Sequence, residues 1–473
     1  MEWETVVGLE VHIQLNTKSK IFSNASTAFG SAPNENANAI DLALPGTLPV
    51  VNREVVRKAL ILGMALNATI NRYTIFDRKH YFYPDLPKGY QITQLRCPII
   101  QAGELPIGKG EKTIRILQAH MEENAGKSVH DLFPDGTAVD FNRAGTPLIE
   151  VVSAPDLYSA HEAVTYAKEL YRLVTWLGIC NGDMSQGEFR ADVNVSVRPR
   201  GEKQLGTRCE IKNLNSFKFI EEAIEYEARR QIDLLEEGGE IKQETRLFDA
   251  NLGETRSMRT KEDAHDYRYF PDPDFYPLKI TDQMMEEATA NMPELPRERQ
   301  NRLVSDYGLS EYDASQVTAS RLQAEFFEEA TGLSQQPKLV ANWMNGEIAF
   351  NLNKQAKDFS ELPITARQLA DLVTRVVDGT LSTRLAKQVF EVIWNEAIEV
   401  DAVIERENLK QIGDIATLDK IVEEVLQKHT KLVEEFRSGK QKALNALVGQ
   451  VMKLTLGKAD PVQVQQLMKE KLS

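Results

Sequence analysis

The chain has 473 residues, 42% of them hydrophobic and 27% charged, with a formal net charge of −14. It is too long for one core, since cores stop growing at roughly 250–300 residues, so two or three domains are expected; its apolar content excludes a disordered chain. No run of about 18 apolar residues offers a membrane span, the acidic start Met1-Glu2-Trp3-Glu4 lacks a signal-peptide layout, and the scattered Cys97, Cys180 and Cys209 suggest neither a CxxC zinc pair nor a disulfide framework, which together imply a reduced, cytoplasmic protein.

From the N-terminus, Thr5 to Leu15 alternates, with Val7, Leu9, Val11, Ile13 and Leu15 on one side and Gly8, Glu10, His12 and Gln14 on the other. This predicts a half-buried strand. Glu10 and His12 then share a face roughly 6.5–7 Å apart, within reach of one metal ion or two adjacent ions, although a solvated strand face has the same pattern. Residues 76–91 gather Tyr81, Tyr83, Tyr90, Lys79, Lys88, Asp77 and Asp85 around Pro84 and Pro87. They read either as a stiff, polar-lined loop or as aromatic packing onto a core. Gly103 to Lys109 fits GxxxxGK, but Gly110 stands where Ser or Thr would bind Mg²⁺ and the following Thr113–Leu117 alternates like a strand, so a phosphate loop of that type is rejected.

The segment 113–123 is strand-like and runs into His120-Met121-Glu122-Glu123-Asn124-Ala125-Gly126-Lys127. Two carboxylates before a Gly-Lys turn suit Mg²⁺, an oxygen-seeking cation. Adjacent strand residues face opposite ways, so one of the pair would be a direct ligand and the other stand behind it, unless the strand ends there. After a helix predicted near 160–178, the strand 189–198 places Arg190, Asp192, Asn194, Ser196 and Arg198 on one face, and the strand 206–213 does the same with Arg208, Glu210 and Lys212. Four strands with acids, amides and bases in one alternating register could cradle a metal-bound polyphosphate, with carboxylates on the metal and Arg190 and Lys212 on phosphate oxygens.

A helix over 216–236 stops at Gly238-Gly239. Five prolines between 271 and 297 read as a linker. Beyond it the pattern is helical over 297–306, 320–331, 336–353, 365–377, 383–397, 416–437, 440–455 and 461–471, with an inner boundary near 405. Strand meanders with a few helices followed by helices alone indicate an α+β fold with helical modules behind it. The last stretch, 436–473, has seven basic side chains, Arg437, Lys440, Lys442, Lys453, Lys458, Lys469 and Lys471, against Asp460 and Glu470. A basic end on an acidic body fits a nucleic-acid footprint or a solvated helical tail.

Together, Val7 to His12, Phe76 to Gln91, His120 to Lys127, Asn142 to Glu150, Ile211 to Phe217, Gln243 to Arg246, Asp266 to Pro271 and Ser438 to Lys453 resemble the B subunit of the aspartyl/glutamyl-tRNA amidotransferases (GatB type, bacterial form), in order over nearly the whole chain. The resemblance implies a cradle domain over 1–293, an antiparallel sheet related to the glutamine synthetase and guanido kinase fold, then a helical domain over 294–405 and a YqeY-like, tRNA-binding tail over 406–473. It implies ATP- and Mg²⁺-dependent phosphorylation of the side-chain carboxylate of Glu-tRNA(Gln) or Asp-tRNA(Asn), followed by amidation with ammonia from a partner glutaminase. The expected partners are that glutaminase, an amidase that is the family's A subunit, together with a small C subunit, in a heterotrimer.

Carried onto this sequence, the resemblance makes Glu10, His12, Glu122, Glu123, Asp192 and Glu210 the catalytic and metal-binding set, with His12 and Glu123 the first choice for direct ligands. Asn194 and Ser196 join Arg190 and Lys212 on the nucleotide side. Lys79 and Lys88 match the family's ammonia path, with Tyr81 and Tyr83 lining it, and Lys440, Lys442, Lys453 and Lys458 are the expected tRNA contacts. Where the family usually reads Glu-Glu-Asp-Ala-Gly-Lys, this chain has Asn124. The early loop Phe22 to Ser26 lacks the cysteines of a zinc knuckle, so no zinc is expected. The alternatives are a non-catalytic tRNA-binding subunit and a stand-alone metal-dependent amino-acid ligase, which would leave the helical tail without a role.

Overall fold

The structure, a computed structural model, describes residues 2–260, 266–409, 414–455 and 457–472. The chain divides into two compact units, Met1–Pro296 and Arg297–Ser473. In the first, the elements run β1 Trp3–Gln14, α1 Arg53–Ala65, β2 Thr69–Ile70, β3 Tyr73–Thr74, β4 Asp77–His80, β5 Tyr90–Thr93, β6 Ile100–Ile107, β7 Lys112–Glu123, β8 Lys127–Phe133, β9 Gly136–Asp140 and β10 Pro147–Ser153. They continue with α2 Ala160–Trp176, β11 Phe189–Pro199, β12 Cys209–Leu214, α3 Phe217–Glu236, β13 Glu244–Asp249, β14 Glu254–Thr260, β15 Phe270–Pro271, β16 Leu278–Lys279 and α4 Asp282–Ala290.

Nine strands form one sheet in the order β14-β13-β12-β11-β1-β10-β7-β6-β2. Every neighbouring pair is antiparallel except β12 and β13. Strand alternation splits the sheet chemically. Val7, Leu9, Val11 and Ile13 of β1, Ile149 and Val151 of β10, and Ala191, Val193 and Val195 of β11 are fully buried in one core with Leu170 and Val174 of α2 and Ile220 and Ile224 of α3. The intervening residues of the same strands are polar and form the opposite face. Both covering helices start on a serine cap, Ser159 and Ser216, whose side chain accepts from a backbone N–H of the first turn, as unpaired helix-start donors require.

Two segments read differently in the structure. The proline-punctuated stretch 271–297 holds β16 and α4, not only linker; Ala288 of α4 and Ile280 are buried in the sheet core. The prolines sit outside the helix, where they break no helical hydrogen bond. Helix α1, capped by Asn52, has no counterpart in the sequence reading because so much of it is buried that no polar stripe marks its period.

The second unit is helical: α5 Pro296–Tyr307, α6 Glu311–Val317, α7 Arg321–Ser334, α8 Pro337–Trp343, α9 Ala349–Lys354, α10 Ala366–Val377, α11 Thr383–Glu396, α12 Val400–Arg406, α13 Ile415–Lys428, α14 Thr430–Arg437, α15 Gln441–Leu454 and α16 Pro461–Leu472. The segment expected as one helix over 336–353 carries a π turn, Met344–Ile348, between α8 and α9. The one expected over 416–437 breaks at His429, which leaves helical geometry with φ −115° and ψ 46°. Two separate apolar clusters form here, one from Leu303 to Ile404 and one from Leu418 to Leu472. No described helix is long and apolar enough to cross a membrane. The three cysteines are free, with Cys180 and Cys209 buried.

Candidate active site

The polar face is organised by register. His12 of β1 lies opposite Arg190 of β11 on one side and Glu150 of β10 on the other, and Glu150 lies opposite His120 of β7. Adjacent strands therefore deliver Arg190, His12, Glu150 and His120 as one row across the sheet. Glu122, two residues on from His120, returns to the same face by the strand period. His12 Nε2 lies 3.3 Å from Glu150 Oε2 and 3.6 Å from Glu122 Oε1. His120 Nε2 lies 3.4 Å from Glu150 Oε2 and 3.6 Å from Glu122 Oε2.

Burial opposes charge on all four groups, and their mutual interactions override it. Against burial, Glu150 and Glu122 raise the pKa of His12 and push His120 up to about 10. Also against burial, His120 and His12 hold Glu122 below its usual range and Glu150 well below it. Ligand atoms of His12, Glu122 and Glu150 all lie within 4.8 Å of one another, close enough for one cation to span. The Nδ1 atoms of His12 and His120 meet no hydrogen-bond partner among the described residues. Two carboxylates suit a hard divalent cation such as Mg²⁺; an imidazole beside them also suits Mn²⁺.

Glu123, expected with His12 as a first-choice ligand, is not brought into this cluster. It is the last residue of β7 and faces the other way from Glu122, as alternation demands. Its carboxylate pairs with the Lys88 ammonium and accepts the Ile92 N–H at 2.8 Å. Burial raises its pKa, with Lys88 opposing. Gly126 follows where other backbone comes close: a Cβ there would stand 3.0 Å from the carbonyl oxygens of both Asp85 and Asp140.

Glu10, Asp192 and Glu210 occupy the same face further along. Glu10 lies opposite Asp192 and accepts from Asn194 Nδ2 at 3.0 Å. Lys212 bridges Asp192 at 3.1 Å and Glu210 at 2.8 Å. Burial, Glu150 and Glu210 raise the pKa of Glu10, so a cation or a donor beside it would relieve repulsion. Ser196 and Asn194 line a 160 Å³ cavity with Glu10, Gly8, Leu117, Leu205 and Arg208.

The comparisons with known proteins bear on this arrangement. The family described as the GatB/GatE catalytic domain matches residues 5–286, and the GatB domain matches 325–472. The B subunit of the aspartyl/glutamyl-tRNA(Asn/Gln) amidotransferase of Neisseria meningitidis serogroup A is 59% identical over 476 residues, covering 100% of both chains. Proteins of that name from Chromobacterium violaceum and Thiobacillus denitrificans are 58% and 57% identical, again over 100% of each chain. The chain belongs to the family of aspartyl/glutamyl-tRNA(Asn/Gln) amidotransferase B subunits.

Of the expected ammonia-path residues, Lys79 lies on β4 of a small sheet of β15, β4 and β5, and Tyr81, Tyr83 and Lys88 lie on the segment that joins β4 to β5. Thr93 of β5 donates to Glu122 Oε2 at 3.2 Å, tying that sheet to the histidine and glutamate row. The Lys79 ammonium lies 4.8 Å from the Tyr267 ring centroid and 5.9 Å from that of Tyr81. Burial works against its charge, and Tyr269, Glu122 and Glu150 outweigh that and raise its pKa. Tyr83 packs edge-on to Tyr81 and is 54% exposed. Of the tail lysines, Lys440 immediately precedes α15 and lies 3.7 Å from Glu435, Lys442 and Lys453 are exposed on α15, and Lys458 is half-buried.

Sequence reasoning passed over Glu150 and His120. Both carried a signal: Glu150 alternates with buried Ile149 and Val151, and His120 stands two residues before Glu122. The pairing of β10 between β1 and β7, which makes them neighbours of His12, is a long-range fact that strand periodicity does not contain.

Proposed function

We propose that this chain is the ATP-dependent transamidase subunit of a tRNA amidotransferase, acting on Glu-tRNA(Gln), Asp-tRNA(Asn) or both. The observation that carries this reading is the row of half-buried His12 and Glu150 with buried His120 and Glu122 on a sheet face that continues into Glu10, Asp192, Glu210, Lys212 and Arg190. A side-chain carboxylate resists amidation because it would have to expel oxide. Transfer of the ATP γ-phosphoryl group to it creates a good leaving group, which ammonia then displaces.

His12, Glu122 and Glu150 are the groups that would hold Mg²⁺, and a bound cation would offset charge on the transferring phosphoryl group. Lys212, held between Asp192 and Glu210, and Arg190 stand on the phosphate side with Asn194 and Ser196. Lys79, Tyr81, Tyr83 and Lys88 lie on the ammonia side; the Lys88–Glu123 pair anchors that wall, so Glu123 acts there as a positioning residue. The early loop offers no cysteine for zinc. The fold is read as the glutamine synthetase and guanido kinase type, with domains over 1–293, 294–405 and 406–473. Ammonia comes from a partner amidase in a cytoplasmic heterotrimer that a small third protein completes, and Lys440, Lys442, Lys453 and Lys458 contact the tRNA.

A subunit that only binds tRNA is the weaker reading, because a phosphate-binding surface should be basic, whereas this face concentrates carboxylates. The test is transamidation by the assembled complex. His12→Ala and Glu150→Ala should each lose at least about a hundredfold in amidation, on the scale of a lost metal ligand's support, while the partner's glutamine hydrolysis continues. Full transamidation by both variants would overturn the assignment.

A further inference from the structure

The segment from Asp266 to Asp274 is clasped to β4 along its length. Phe270 and Pro271 pair with Arg78 and Asp77, and the His80 N–H donates to Tyr267 O at 2.9 Å. The Arg78 guanidinium donates to Asp272 and to Asp274, each at 3.0 Å, and lies 4.1 Å from the Tyr90 ring centroid. The His80 ring stacks on Phe270 with centroids 5.1 Å apart. Asp272 is buried, and its N–H donates to Phe76 O at 2.9 Å. Within the clasp Arg268 sits at φ 44°, in the left-handed region that residues with a Cβ seldom adopt. Such conformations persist only where surrounding contacts impose them, and they collect at functional sites.

The clasp fixes Tyr267 against Lys79. Lys79 is half-buried, yet among the described residues its ammonium forms no ion pair and no hydrogen bond. Lys88 pairs with Glu123, and Lys212 with Asp192 and Glu210. Lys79 has rings instead: its ammonium lies 4.8 Å from the Tyr267 centroid and 5.9 Å from that of Tyr81. These two rings meet edge-on at 6.2 Å, and Tyr269 packs edge-on to Tyr267 at 6.1 Å. A ring face attracts a cation within about 6 Å without occupying its N–H donors. Glu122 and Glu150 also favour the Lys79 charge. Lys79 is the direct cross-strand neighbour of Gln91, which donates to Glu123 O at 2.7 Å. The ammonium therefore stands beside the histidine and glutamate row with its donors free.

We propose that Tyr267 and Tyr81 form an aromatic cage that holds the Lys79 ammonium for an oxygen of the acyl group being amidated. An ammonium has donors and no acceptor, so the atom it holds must accept. Ammonia attacks through its lone pair, and a donor on that pair would block the attack. With the phosphoryl oxygens assigned to the cation, Arg190 and Lys212, the acyl oxygen is the acceptor left. The choice of an acyl group rests on the transamidase reading above. In the amidation step the lone pair of ammonia bonds to the acyl carbon as a carbonyl electron pair moves onto oxygen, where the Lys79 ammonium offsets the charge. That pair returns as the carbon–oxygen bond to phosphate breaks. The phosphate leaves with the electrons of that bond and takes up the proton lost by nitrogen. Tyr267 and Tyr81 touch no reacting atom; they are positioning residues.

The first readout is acetylation of Lys79 in the full-length chain by an amine-reactive ester, followed by peptide mass spectrometry with exposed Lys442 as the reference. The proteins compared are the wild type, Tyr267→Leu, Tyr267→Phe and Tyr81→Leu. Melting temperatures show which variants fold, and Tyr81→Leu, on the second ring, carries the test if Tyr267→Leu does not. Each Leu variant should label Lys79 at least about fivefold faster than the wild type, and Tyr267→Phe, which keeps the ring face, within about twofold of it. The second readout is amidation by the assembled complex with ammonium chloride as nitrogen donor. Its kcat should fall at least about tenfold in Tyr267→Leu, the scale of a desolvated cation held over a ring, and recover in Tyr267→Phe, while the KM for ATP stays within about twofold. Wild-type labelling of Lys79 in the folded Leu variants, or a Tyr267→Phe that labels as Tyr267→Leu does, overturns the cage. An unchanged kcat in a transamidating Tyr267→Leu complex overturns its role at the acyl oxygen. If labelling responds as expected but the wild-type complex carries out no transamidation, the cage stands and the reaction assigned to it fails. If the complex transamidates and labelling does not respond, the cage fails and the reaction stands.

Discussion

Glu227 shows how individual charges fasten this sheet to its helices. It is fully buried and accepts from Arg230 of its own helix at 2.6 Å, Gln231 at 2.8 Å and Thr255 of β14 at 2.8 Å. Burial works against its charge, and Arg230 and Gln231 outweigh that, so its pKa is lowered. A carboxyl group held below its unfolded value stabilises the fold above that unfolded value, near pH 4.3, and the contribution disappears as pH falls through the folded value. Glu227→Gln should therefore cost about 3 kcal/mol at pH 7, as one half of a buried pair is lost, and distinctly less near pH 4. Urea unfolding of both proteins at the two pH values measures this; a gap independent of pH would contradict it. The pair Glu122 and Glu123 teaches a related lesson. Their adjacency was visible in the sequence, and so was the rule that they face apart, but nothing local says which face holds His12. The deciding partners, Lys88 and Ile92 on Glu123 and His120 and Thr93 on Glu122, come from β5 and β7 meeting in space.

At the scale of elements, the strands that carry the site were legible because each has one apolar and one polar face. The expected strand over 5–15 is β1, that over 189–198 is β11, and that over 113–123 is β7. Their order was not legible. The polar row requires β1 to sit between β11 and β10, with β7 beyond β10, and β1 is separated from both of its partners by more than a hundred residues of sequence. Short strands such as β15 and β16, two residues each, were missed because two residues show no period. The fold of residues 271–290 was masked by prolines that lie outside the helix. In the helical unit, the π turn at Met344–Ile348 and the break at His429 were invisible for the opposite reason: the apolar pattern runs on through both, and only backbone geometry departs from it. The start of helix α15 after Gly439 was anticipated closely, because a glycine at φ 97° ends the preceding helix in a conformation other residues avoid.

For the whole molecule, the uneven charge becomes a division of labour. The acidic total of −14 includes the carboxylates of the sheet face, while α15 and α16 carry the exposed Lys442, Lys453 and Lys469. Removal of residues 406–473 should weaken tRNA binding by at least about tenfold while leaving Mg·ATP binding within about twofold, and the salt slope of tRNA binding should fall because fewer phosphates are neutralised. Filter binding at several salt concentrations beside nucleotide titration reads both; equal losses would contradict the assignment of the tail. The central claim is that His12, Glu122 and Glu150 hold the divalent cation on which amidation depends. Its most direct test is Mn²⁺ binding by the full-length chain, followed by electron paramagnetic resonance, for the wild type, Glu150→Gln and Glu123→Gln. We predict one Mn²⁺ site whose affinity falls at least about tenfold in Glu150→Gln and stays within about threefold of wild type in Glu123→Gln. Undiminished Mn²⁺ binding by Glu150→Gln, or selective loss in Glu123→Gln, would contradict it.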